Sequence, residues 1–401
     1  MRPLKRLIQM NEALSLIRGE ARAVTRTEMV KLLAADGRVS AEEVVSSISV
    51  PPFSRSAMDG YAVKAADTYG ASKLRPIKIR LGEVLYAGSV PRRPVRRGEC
   101  SEIATGAMIP KGADAVIMVE DTERVGKSVS IYDAVHPGQN VSKMGEDISK
   151  GTRVISKREV LNPSKIGALA AIGRDEIKMF AKPLVAVVPT GNEVAELGVK
   201  LKPGQVYNIN SYTLGSVLAA NGAEVRTLDI VGDSIDELQS VLKENRDCDI
   251  VVFSGGSSVG ERDIMLDVVE QKGRVVFHGV AIKPGKPTLF GVVGRQLVFG
   301  MPGYPTACLS NAYILLAPIV REMAMLPPAP QRSISARMAK RIVSTTGRVQ
   351  FLTVKLEGNV AHPAFKESGA ITSMAFADGY VVVPADVDLL EKGESVTVFL
   401  L

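Results

Sequence analysis

The sequence LVAVVPTGNE at positions 184–193 decides the fold class. Its first five residues form an unbroken run of Leu, Val and Ala, which is typical of a strand buried on both faces of a parallel sheet. A turn with Gly191 and the acidic residue Glu193 follow this run directly. We therefore expect a parallel sheet, with its ligand at the carboxyl ends of the strands.

Strand-like and helix-like segments alternate beyond this stretch. Helical spacing recurs at 211–220, 234–244, 264–271 and 306–323, and strands are predicted at 225–231, 250–253, 275–277 and 296–299. Asp233 is predicted to cap the second of these helices. This order indicates a doubly wound α/β domain with a mainly parallel sheet, which we assign to residues 181–326.

The N-terminal part of the chain has a different sequence pattern. Residues 4–17 and 27–33 show helical spacing, whereas 49–146 is rich in Gly and Pro, with short alternating runs such as 77–81. We expect two short helices followed by a small β domain. Residues 153–155 are then predicted to form a strand, and Pro163 is predicted to begin a helix. This segment resembles the first residues of the chain in its sequence pattern.

The C-terminal part follows a proline-rich linker at 326–330. From Ile334 onward the pattern is strand-like, with turns predicted at Gly347, 357–359 and 391–393. We therefore expect a small β-barrel domain at residues 327–401.

Composition excludes several classes of protein. With 46% hydrophobic and 23% charged residues in a chain of 401, the sequence can bury enough surface to fold into several domains. The longest nearly unbroken apolar run, 312–320, contains Pro318 and is too short to cross a bilayer. Polar residues interrupt the first twenty positions, so we expect a cytoplasmic protein without a secretion signal or membrane association.

The cysteines and the basic residues carry no special signal. Cys100, Cys248 and Cys308 are far apart, which predicts packing residues rather than disulfides or a zinc site. The net charge is +7, but the one dense basic run, at 92–97, has no interleaved aromatic residues. Nucleic-acid binding is therefore not expected.

Three predicted strand ends share a glycine-rich composition, at 190–193, 254–263 and 300–306. Glycine lets backbone amides approach a phosphate closely, and a following helix N-terminus favours negative charge. Three such loops on one sheet edge predict an anion-binding site. The candidate binding residues in these loops are Thr190, Gly191, Ser254, Gly255, Gly256, Ser258, Gly260, Pro302 and Gly303.

Two common phosphate motifs are excluded, and another basic motif is present. Gly255 and Gly260 have P-loop spacing, but the residues at 261–262 are Glu and Arg rather than Lys and Ser or Thr, and no GxGxxG follows a strand. The sequence KPGKP at 283–287 presents Lys283 and Lys286 on a loop stiffened by proline. It is predicted to be an oxyanion or phosphate clamp.

Three acidic residues follow predicted strands at the same edge. These residues are Glu193, Asp233 and Asp263, and carboxylates beside phosphates suit Mg²⁺. The three histidines are far apart, so a His-rich metal site is not expected. No nucleophile triad is indicated, and covalent catalysis is not expected.

Five segments together carry a family resemblance. They are PPFSRSAMDGYAV at 51–63, GEDI at 145–148, SGGSSVGERD at 254–263, KPGKP at 283–287 and GMPGYP at 300–305. In this order they resemble the molybdopterin molybdotransferase family, which includes MoeA of bacteria and archaea and the E domains of gephyrin and its plant counterpart. The resemblance runs along the whole chain.

The resemblance implies an elongated homodimer of four-domain subunits. It places a linking and dimerisation domain at 1–48 and 147–180, and a cleft between the α/β domain of one chain and the C-terminal domain of the other. The implied reaction inserts molybdenum or tungsten, supplied as molybdate or tungstate, into adenylylated molybdopterin with Mg²⁺ and releases AMP. An adenylylating partner enzyme is also implied.

The resemblance also assigns site residues. Carried over by motif, the acidic residues that line the site are Asp59, Asp147, Glu193, Asp233 and Asp263. Lys283, Lys286 and Arg348 would face the oxyanion and phosphates, with Ser368 or Ser373 nearby. The metal ligands among these would be Glu193, Asp233 and Asp263.

The chain departs from the family pattern at three positions. Gly279 stands where a lysine is common, Tyr304 where many members have Asn, and Ala307 where a serine is common. The choice between molybdate and tungstate therefore stays open.

Two alternative functions remain: an adenylyltransferase or pyrophosphohydrolase of the related α/β superfamily, or a non-enzymatic scaffold. The first class does not carry the SAMDGYAV arm and the C-terminal β domain together, and the second needs added trimerising segments that this sequence lacks.

Overall fold

The computed structural model describes residues 7–255, 264–366 and 370–401. The chain divides into two compact units. The smaller unit comprises residues 29–36 and 40–179, and the larger unit comprises the described residues of 1–28, 37–39 and 180–401. None of the helices in these described ranges is long and apolar enough to cross a membrane.

Up to residue 180 the chain is mostly β structure. The helices are α1 (Met10–Glu20) and α2 (Pro163–Ala171), with 3-10 turns at Leu32–Ala34, Ala65–Thr68 and Val119–Asp121. The strands are β1 (Thr27–Lys31), β2 (Val44–Val45), β3 (Arg55–Ser56), β4 (Gly60–Val63), β5 (Ile77–Leu85), β6 (Glu99–Ile103), β7 (Ala115–Met118), β8 (Thr122–Val125), β9 (Ser128–Ile131), β10 (Val141–Ser142), β11 (Arg153–Ile155) and β12 (Glu176–Phe180).

The predicted N-terminal β domain is confirmed. Six of its strands form one sheet in the order β7-β4-β6-β5-β9-β8. The predicted strand at 77–81 is the first part of β5, whose Ile79 and Leu81 point into the core and alternate with exposed neighbours. Helix α2 begins as predicted, because Pro163 needs no amide partner there and the Asn162 side chain accepts the Lys165 N–H.

The prediction of a helix at 27–33 is wrong, because these residues form β1 followed by a 3-10 turn. Helix α1 begins at Met10 rather than near residue 4. Its Ala13 and Ile17, one turn apart, are fully buried in the hydrophobic core of the α/β domain. The apolar face of α1 at these two residues is therefore covered within its own chain.

The α/β domain lies in the larger unit. Its strands are β13 (Leu184–Pro189), β14 (Val194–Ala195), β15 (Val206–Tyr207), β16 (Glu224–Thr227), β17 (Ile250–Ser254), β18 (Arg274–His278), β19 (Ile282–Lys283), β20 (Leu289–Val293) and β21 (Gln296–Met301). Its helices are α3 (Asn210–Ala220), α4 (Ile235–Glu244), α5 (Ile264–Lys272), α6 (Pro305–Asn311) and α7 (Ala317–Met323), with a π-helical turn at Ala312–Leu316.

The prediction of a mainly parallel sheet is confirmed. The strand order is β16-β13-β17-β21-β20-β18, and the first four strands run parallel. Along β13, Val185 and Val187 pack into one hydrophobic core, while Ala186 and Val188 pack into another. The strand is therefore buried on both faces, as its unbroken apolar run predicts.

Three local predictions in this domain need correction. Ser234, not Asp233, caps α4, because its Oγ accepts the Glu237 N–H at 3.3 Å. The strand expected at 225–231 ends at Thr227. The helix expected at 306–323 is divided by the π-helical turn, since Pro318 has no amide hydrogen for a regular helical bond.

The C-terminal β barrel is confirmed. Its strands are β22 (Ser333–Met338), β23 (Ile342–Val343), β24 (Val349–Glu357), β25 (Val360–Pro363), β26 (Gly379–Val383), β27 (Leu389–Leu390) and β28 (Ser395–Leu400), with the short helix α8 (Thr372–Ala375). The ring β24-β25-β22-β28-β26 closes through the pairing of β24 with β26. The predicted turns at Gly347, Gly358 and Gly393 all have positive φ angles.

The three cysteines are buried and free of disulfides, as predicted. Burial raises the pKa of the Cys100 thiol to about 12 and that of Cys248 to about 11, so both thiols stay protonated at neutral pH.

Candidate functional site

Three strands of the parallel sheet end at the same level. Pro189 at the end of β13 lies opposite Ser254, which in turn lies opposite Met301 at the end of β21. The Thr190 N–H donates to the Ser254 carbonyl at 3.2 Å, and the Gly255 N–H donates to the Met301 carbonyl at 3.3 Å. The three predicted loops therefore start side by side.

The beginnings of these loops are in contact. Gly255 has a φ of +118°, and a side-chain carbon there would lie 2.5 Å from the Thr190 carbonyl oxygen. Only glycine fits this position without strain. A side-chain carbon added at Gly303 would lie 3.7 Å from the Cα of Gly255, so the third loop touches the second.

Thr190 carries a buried hydroxyl at this edge. Its side chain is 1% exposed, and within the described ranges its Oγ1 has no hydrogen-bond partner. A buried polar atom without a partner is costly and is found at functional sites more than elsewhere. The remaining loop predictions, Gly256, Ser258, Gly260 and Asp263, lie outside the described residues, as does Ser368.

Glu193 and Asp233 are electrostatically coupled. The Glu193 carboxylate lies over Gly191, where an added side-chain carbon would be 2.7 Å from Oε2. Desolvation raises the pKa of Asp233, and the negative charges of Glu193 and Glu237 raise it further. Since α4 is capped by Ser234, the Asp233 carboxylate is not needed for capping.

These two carboxylates fit a hard cation, because a bound cation would relieve the repulsion between them and carboxylate oxygens are ligands that Mg²⁺ prefers. In the parts of the chain that are described, no three His, Cys, Asp or Glu side chains gather as a metal site. Of the three predicted metal ligands, Glu193 and Asp233 lie within electrostatic range of each other, and the third, Asp263, is not described.

The lysine loop and Arg348 adjoin two paired strands. Strand β19 pairs in parallel with β24, with Ile282 opposite Val349 and Lys283 opposite Gln350. The Lys283 ammonium donates to the Thr345 hydroxyl at 2.9 Å. Lys283, Lys286 and Arg348 are all half-buried.

This pairing joins the two segments within one chain, and the expected cleft between two chains stays a prediction. The resemblance implied that the α/β domain meets the C-terminal domain of a second chain, with Arg348 acting across the interface. In the structure, the segment that carries Lys283 is hydrogen-bonded to the segment that carries Arg348 in the same chain, through the Val349 N–H and the Ala281 carbonyl at 2.9 Å.

Helix α6 contacts three segments of the site. Asn210 Nδ2 donates to the Gly303 carbonyl at 2.9 Å, just before the helix begins. Thr306 Oγ1 donates to the Ala370 carbonyl at 2.8 Å. At the other end of the helix, Asn311 Nδ2 donates to the Gly285 carbonyl at 2.9 Å.

Sequence reasoning did not identify Asn210, Thr306 or Asn311. Each is a polar residue on the buried side of its helix, because all three are less than 9% exposed.

Ser373 serves an internal contact in this structure. It is fully buried, and its Oγ accepts the Lys366 N–H at 3.0 Å. Its hydroxyl is therefore not open to solvent.

Asp59 and Asp147 lie in the smaller unit. Asp59 is exposed, and its Oδ1 accepts the Thr105 N–H at 2.7 Å and the Thr105 hydroxyl at 3.0 Å. Both hydrogen bonds lower the pKa of Asp59, and the bond from the Thr105 backbone contributes more than the bond from its side chain. Asp147 lines a hollow of about 410 Å³ beside helix α2.

Comparison with known proteins matches the whole chain in three parts. Residues 8–173 match the MoeA N-terminal region (domain I and II), 186–322 a probable molybdopterin binding domain, and 335–401 the MoeA C-terminal region (domain IV).

Full-length relatives agree. The chain is 35% identical to a molybdopterin biosynthesis protein of Methanocaldococcus jannaschii, over 97% of this chain and 95% of the relative. It is 31% identical to the molybdopterin molybdenumtransferase of Haemophilus influenzae, over 93% of this chain and 94% of the relative.

A solved structure also matches over the full length. A crystal structure of a molybdopterin biosynthesis MoeA protein from Pyrococcus horikosii aligns with a TM-score of 0.84 and 40% identity, covering 98% of this chain and 99% of that chain. The order of the matched regions, the identities and the shared architecture lead to one conclusion: the chain belongs to the MoeA family, whose curated members include molybdopterin molybdenumtransferases.

Proposed function

We propose that this protein inserts molybdenum or tungsten into adenylylated molybdopterin and releases AMP. The observation that carries the proposal is the parallel pairing of Ile282–Lys283 with Val349–Gln350, which joins the lysine loop to the segment of Arg348. An oxyanion and a phosphoanhydride are both negatively charged. Positive side chains beside glycine-rich strand ends are suited to hold both.

The residues of the chain supply binding and charge stabilisation. The amides of the glycine-rich loops at Gly191, Gly255 and Gly303 would bind phosphate oxygens. Lys283 and Lys286 would stabilise the negative charge that develops on the phosphate of the departing AMP, while Arg348 would bind the oxyanion through its planar fork. No protein nucleophile is needed.

Glu193 and Asp233, together with Asp263, would hold Mg²⁺. When bound, this cation supplies charge neutralisation at the phosphoanhydride. The raised pKa of Asp233 supports this assignment, because two neighbouring carboxylates stay ionised together more easily when a cation lies between them.

The experiment that tests the proposal incubates the purified protein with adenylylated molybdopterin, Mg²⁺ and either molybdate or tungstate. AMP release and metal-loaded cofactor are measured in parallel. We expect both products from the wild-type protein and a large loss of both for Lys286→Ala. The control is Lys272→Ala, which removes an exposed lysine from the last turn of α5 and should leave turnover unchanged.

Three other outcomes would contradict the proposal. AMP release without metal retention would indicate a pyrophosphohydrolase, and no AMP release at all would exclude both enzymes. Asp263→Ala is expected to abolish Mg²⁺-dependent AMP release while the protein stays folded; undiminished turnover in that variant would refute the metal assignment.

The proposal includes two partners. Its substrate requires an enzyme that adenylylates molybdopterin, and the active form is proposed to be a homodimer in the cytoplasm. Light scattering at micromolar concentration tests the dimer, and a monomer would contradict it.

A further inference from the structure

Asn311 makes a compact polar contact inside an apolar region. The side chain is fully buried, and both Nδ2 hydrogens are used: one bond goes to the Gly285 carbonyl at 2.9 Å and the other to Thr288 Oγ1 at 2.6 Å. The Thr288 hydroxyl in turn donates to the Gly285 carbonyl at 2.9 Å. Asn311 and Thr288 thus converge on one carbonyl oxygen of the lysine loop.

The orientation of the carboxamide follows from its partners. A backbone carbonyl only accepts hydrogen bonds, so the amide nitrogen and not the oxygen of Asn311 must face Gly285. The contact is also sterically close, because a side-chain carbon at Gly285 would overlap the Asn311 carboxamide. Gly285 has a φ of +105°, a conformation that glycine adopts without strain.

Helix α6 connects this contact to the glycine-rich edge of the sheet. It begins at Pro305, directly after the turn at Gly303, and its last residue is Asn311. A helix rises about 1.5 Å per residue, so these two ends are fixed at roughly 9 Å from each other. Helix α6 therefore fixes the position of the lysine loop relative to the glycine turn.

We propose that Asn311 is a positioning residue that holds the Lys283–Lys286 loop against α6, and that it thereby sets the oxyanion affinity of the site. The second half of this inference rests on the proposed function. Gly285 lies between Lys283 and Lys286 in the sequence. Its carbonyl oxygen accepts two hydrogen bonds, which restrict the movement of the backbone that carries both lysines. A binding group that is fixed in advance loses less freedom when its ligand arrives.

The test compares Asn311→Ala with Asn245→Ala. Asn245 is a matched control, since it is 6% exposed, lies in the same domain and donates from Nδ2 to the Val241 carbonyl at 3.0 Å. Each variant is measured for its Tm, for molybdate affinity by calorimetry and for hydrogen exchange of the backbone at 279–290.

We expect a similar fall in Tm for both variants. Only Asn311→Ala should bind molybdate about tenfold more weakly and exchange faster at the amides of Val280 and Thr288, which both donate to the Lys286 carbonyl. That fold-change is the size expected from losing one hydrogen bond's contribution. Asn311→Asp should behave like Asn311→Ala, because a carboxylate cannot donate to the Gly285 carbonyl.

A double-mutant cycle adds a second readout. Gly285→Ala should weaken molybdate binding less in the Asn311→Ala background than in the wild type, because the steric conflict is then absent. Additive effects would contradict the proposed contact.

Unchanged loop exchange and unchanged molybdate affinity in Asn311→Ala, with Tm lowered as in the control, would overturn the inference. If the wild type binds neither molybdate nor tungstate, the proposed function fails, and exchange at the Val280 and Thr288 amides alone then decides whether Asn311 positions the loop.

Discussion

Lys283 donates a hydrogen bond of 2.9 Å to the hydroxyl of Thr345, which joins the lysine loop of the α/β domain to the segment that leads into the C-terminal barrel. A lysine ammonium has three hydrogens to donate, so this bond orients Lys283 and leaves two for an anion. Arg348 directly precedes β24, the strand that pairs with β19. The cationic residues therefore come from two domains of one chain.

Arg348→Lys should weaken oxyanion binding, because it keeps the charge but loses the planar pair of donors. We expect a loss of about 1.5–3 kcal/mol, the size of a charged hydrogen bond, with AMP binding almost unchanged. Calorimetry with molybdate and with AMP measures both. Arg341→Lys is the control, since Arg341 is exposed and pairs with Glu391 at 3.7 Å; equal losses in the two variants would contradict the role of Arg348.

Mixing Lys283→Ala with Arg348→Ala should not restore activity. We propose that both residues belong to one anion site within a chain, because the pairing of β19 with β24 joins their segments; each chain of a mixed dimer would then lack one of them. AMP release is measured after subunit exchange has been verified with differently tagged chains. Recovered activity would show that the two residues meet across an interface.

Asp233→Asn should stabilise the protein at neutral pH while abolishing Mg²⁺-dependent AMP release. Desolvation and the charges of Glu193 and Glu237 raise the pKa of Asp233, so the folded state holds this proton more tightly than the unfolded chain does. Stability is therefore lost as the pH rises from the ordinary aspartate pKa of 3.8 through the raised value.

The gain in Tm from Asp233→Asn should accordingly disappear at a pH below 3.8. Thermal unfolding between pH 3 and pH 8 measures it. Asp236→Asn serves as the contrast, because Asp236 lies in the first turn of α4, where a negative charge is favourable. That variant should lose stability at neutral pH. A fall in Tm for Asp233→Asn would contradict the assignment.

Asp59→Asn should lower turnover strongly and lower Tm only slightly at neutral pH. The Asn oxygen can still accept the two hydrogen bonds from Thr105, but the negative charge is gone. Asp59→Ala should lower both quantities. Activity retained in Asp59→Asn and lost only in Asp59→Ala would mean that Asp59 acts as a turn residue alone.

The hydrogen bonds of Asp59 also have a pH dependence. Thr105 lowers the pKa of Asp59, so their stabilising contribution is complete above the unfolded pKa and is lost as the pH falls through the lowered folded value. Acid unfolding of the wild type compared with Asp59→Asn measures this contribution, and the two proteins should differ least in the most acidic solutions.

Much of the α/β domain could be predicted from the sequence because its signals are local. The unbroken apolar run at 184–188 fixes a strand that is buried on both faces, and parallel strands must end at one edge. The meeting of the glycine-rich loops follows from this register. The helix assigned to 27–33 failed because the spacing of its apolar residues fits both periods; a contact distant in sequence, the Leu32 N–H to the Asp175 carbonyl at 3.1 Å, favours the strand.

The supports of the site could not be predicted in the same way. Asn311 and Asn210 are recognised only when it is known which loop packs beside which helix end. The cap of α4 illustrates a smaller uncertainty: Asp233 and Ser234 are adjacent, and both residue types are good caps. Because the cap is Ser234, one residue after the predicted cap, the Asp233 carboxylate is available for a cation.

The attachment of β19 to β24 bears on how this architecture can be recombined. The two residues of β19 lie among the α/β elements in the sequence, yet they extend the sheet that closes the barrel. A chimera that joins the α/β domain of one relative to the barrel of another would lose the backbone hydrogen bonds between β19 and β24. These bonds would be kept only if residues 282–283 and 349–350 came from parent proteins whose strands can still pair at this junction. Exchange of these two domains during evolution should therefore favour parents that share this junction, even where their other surfaces have diverged.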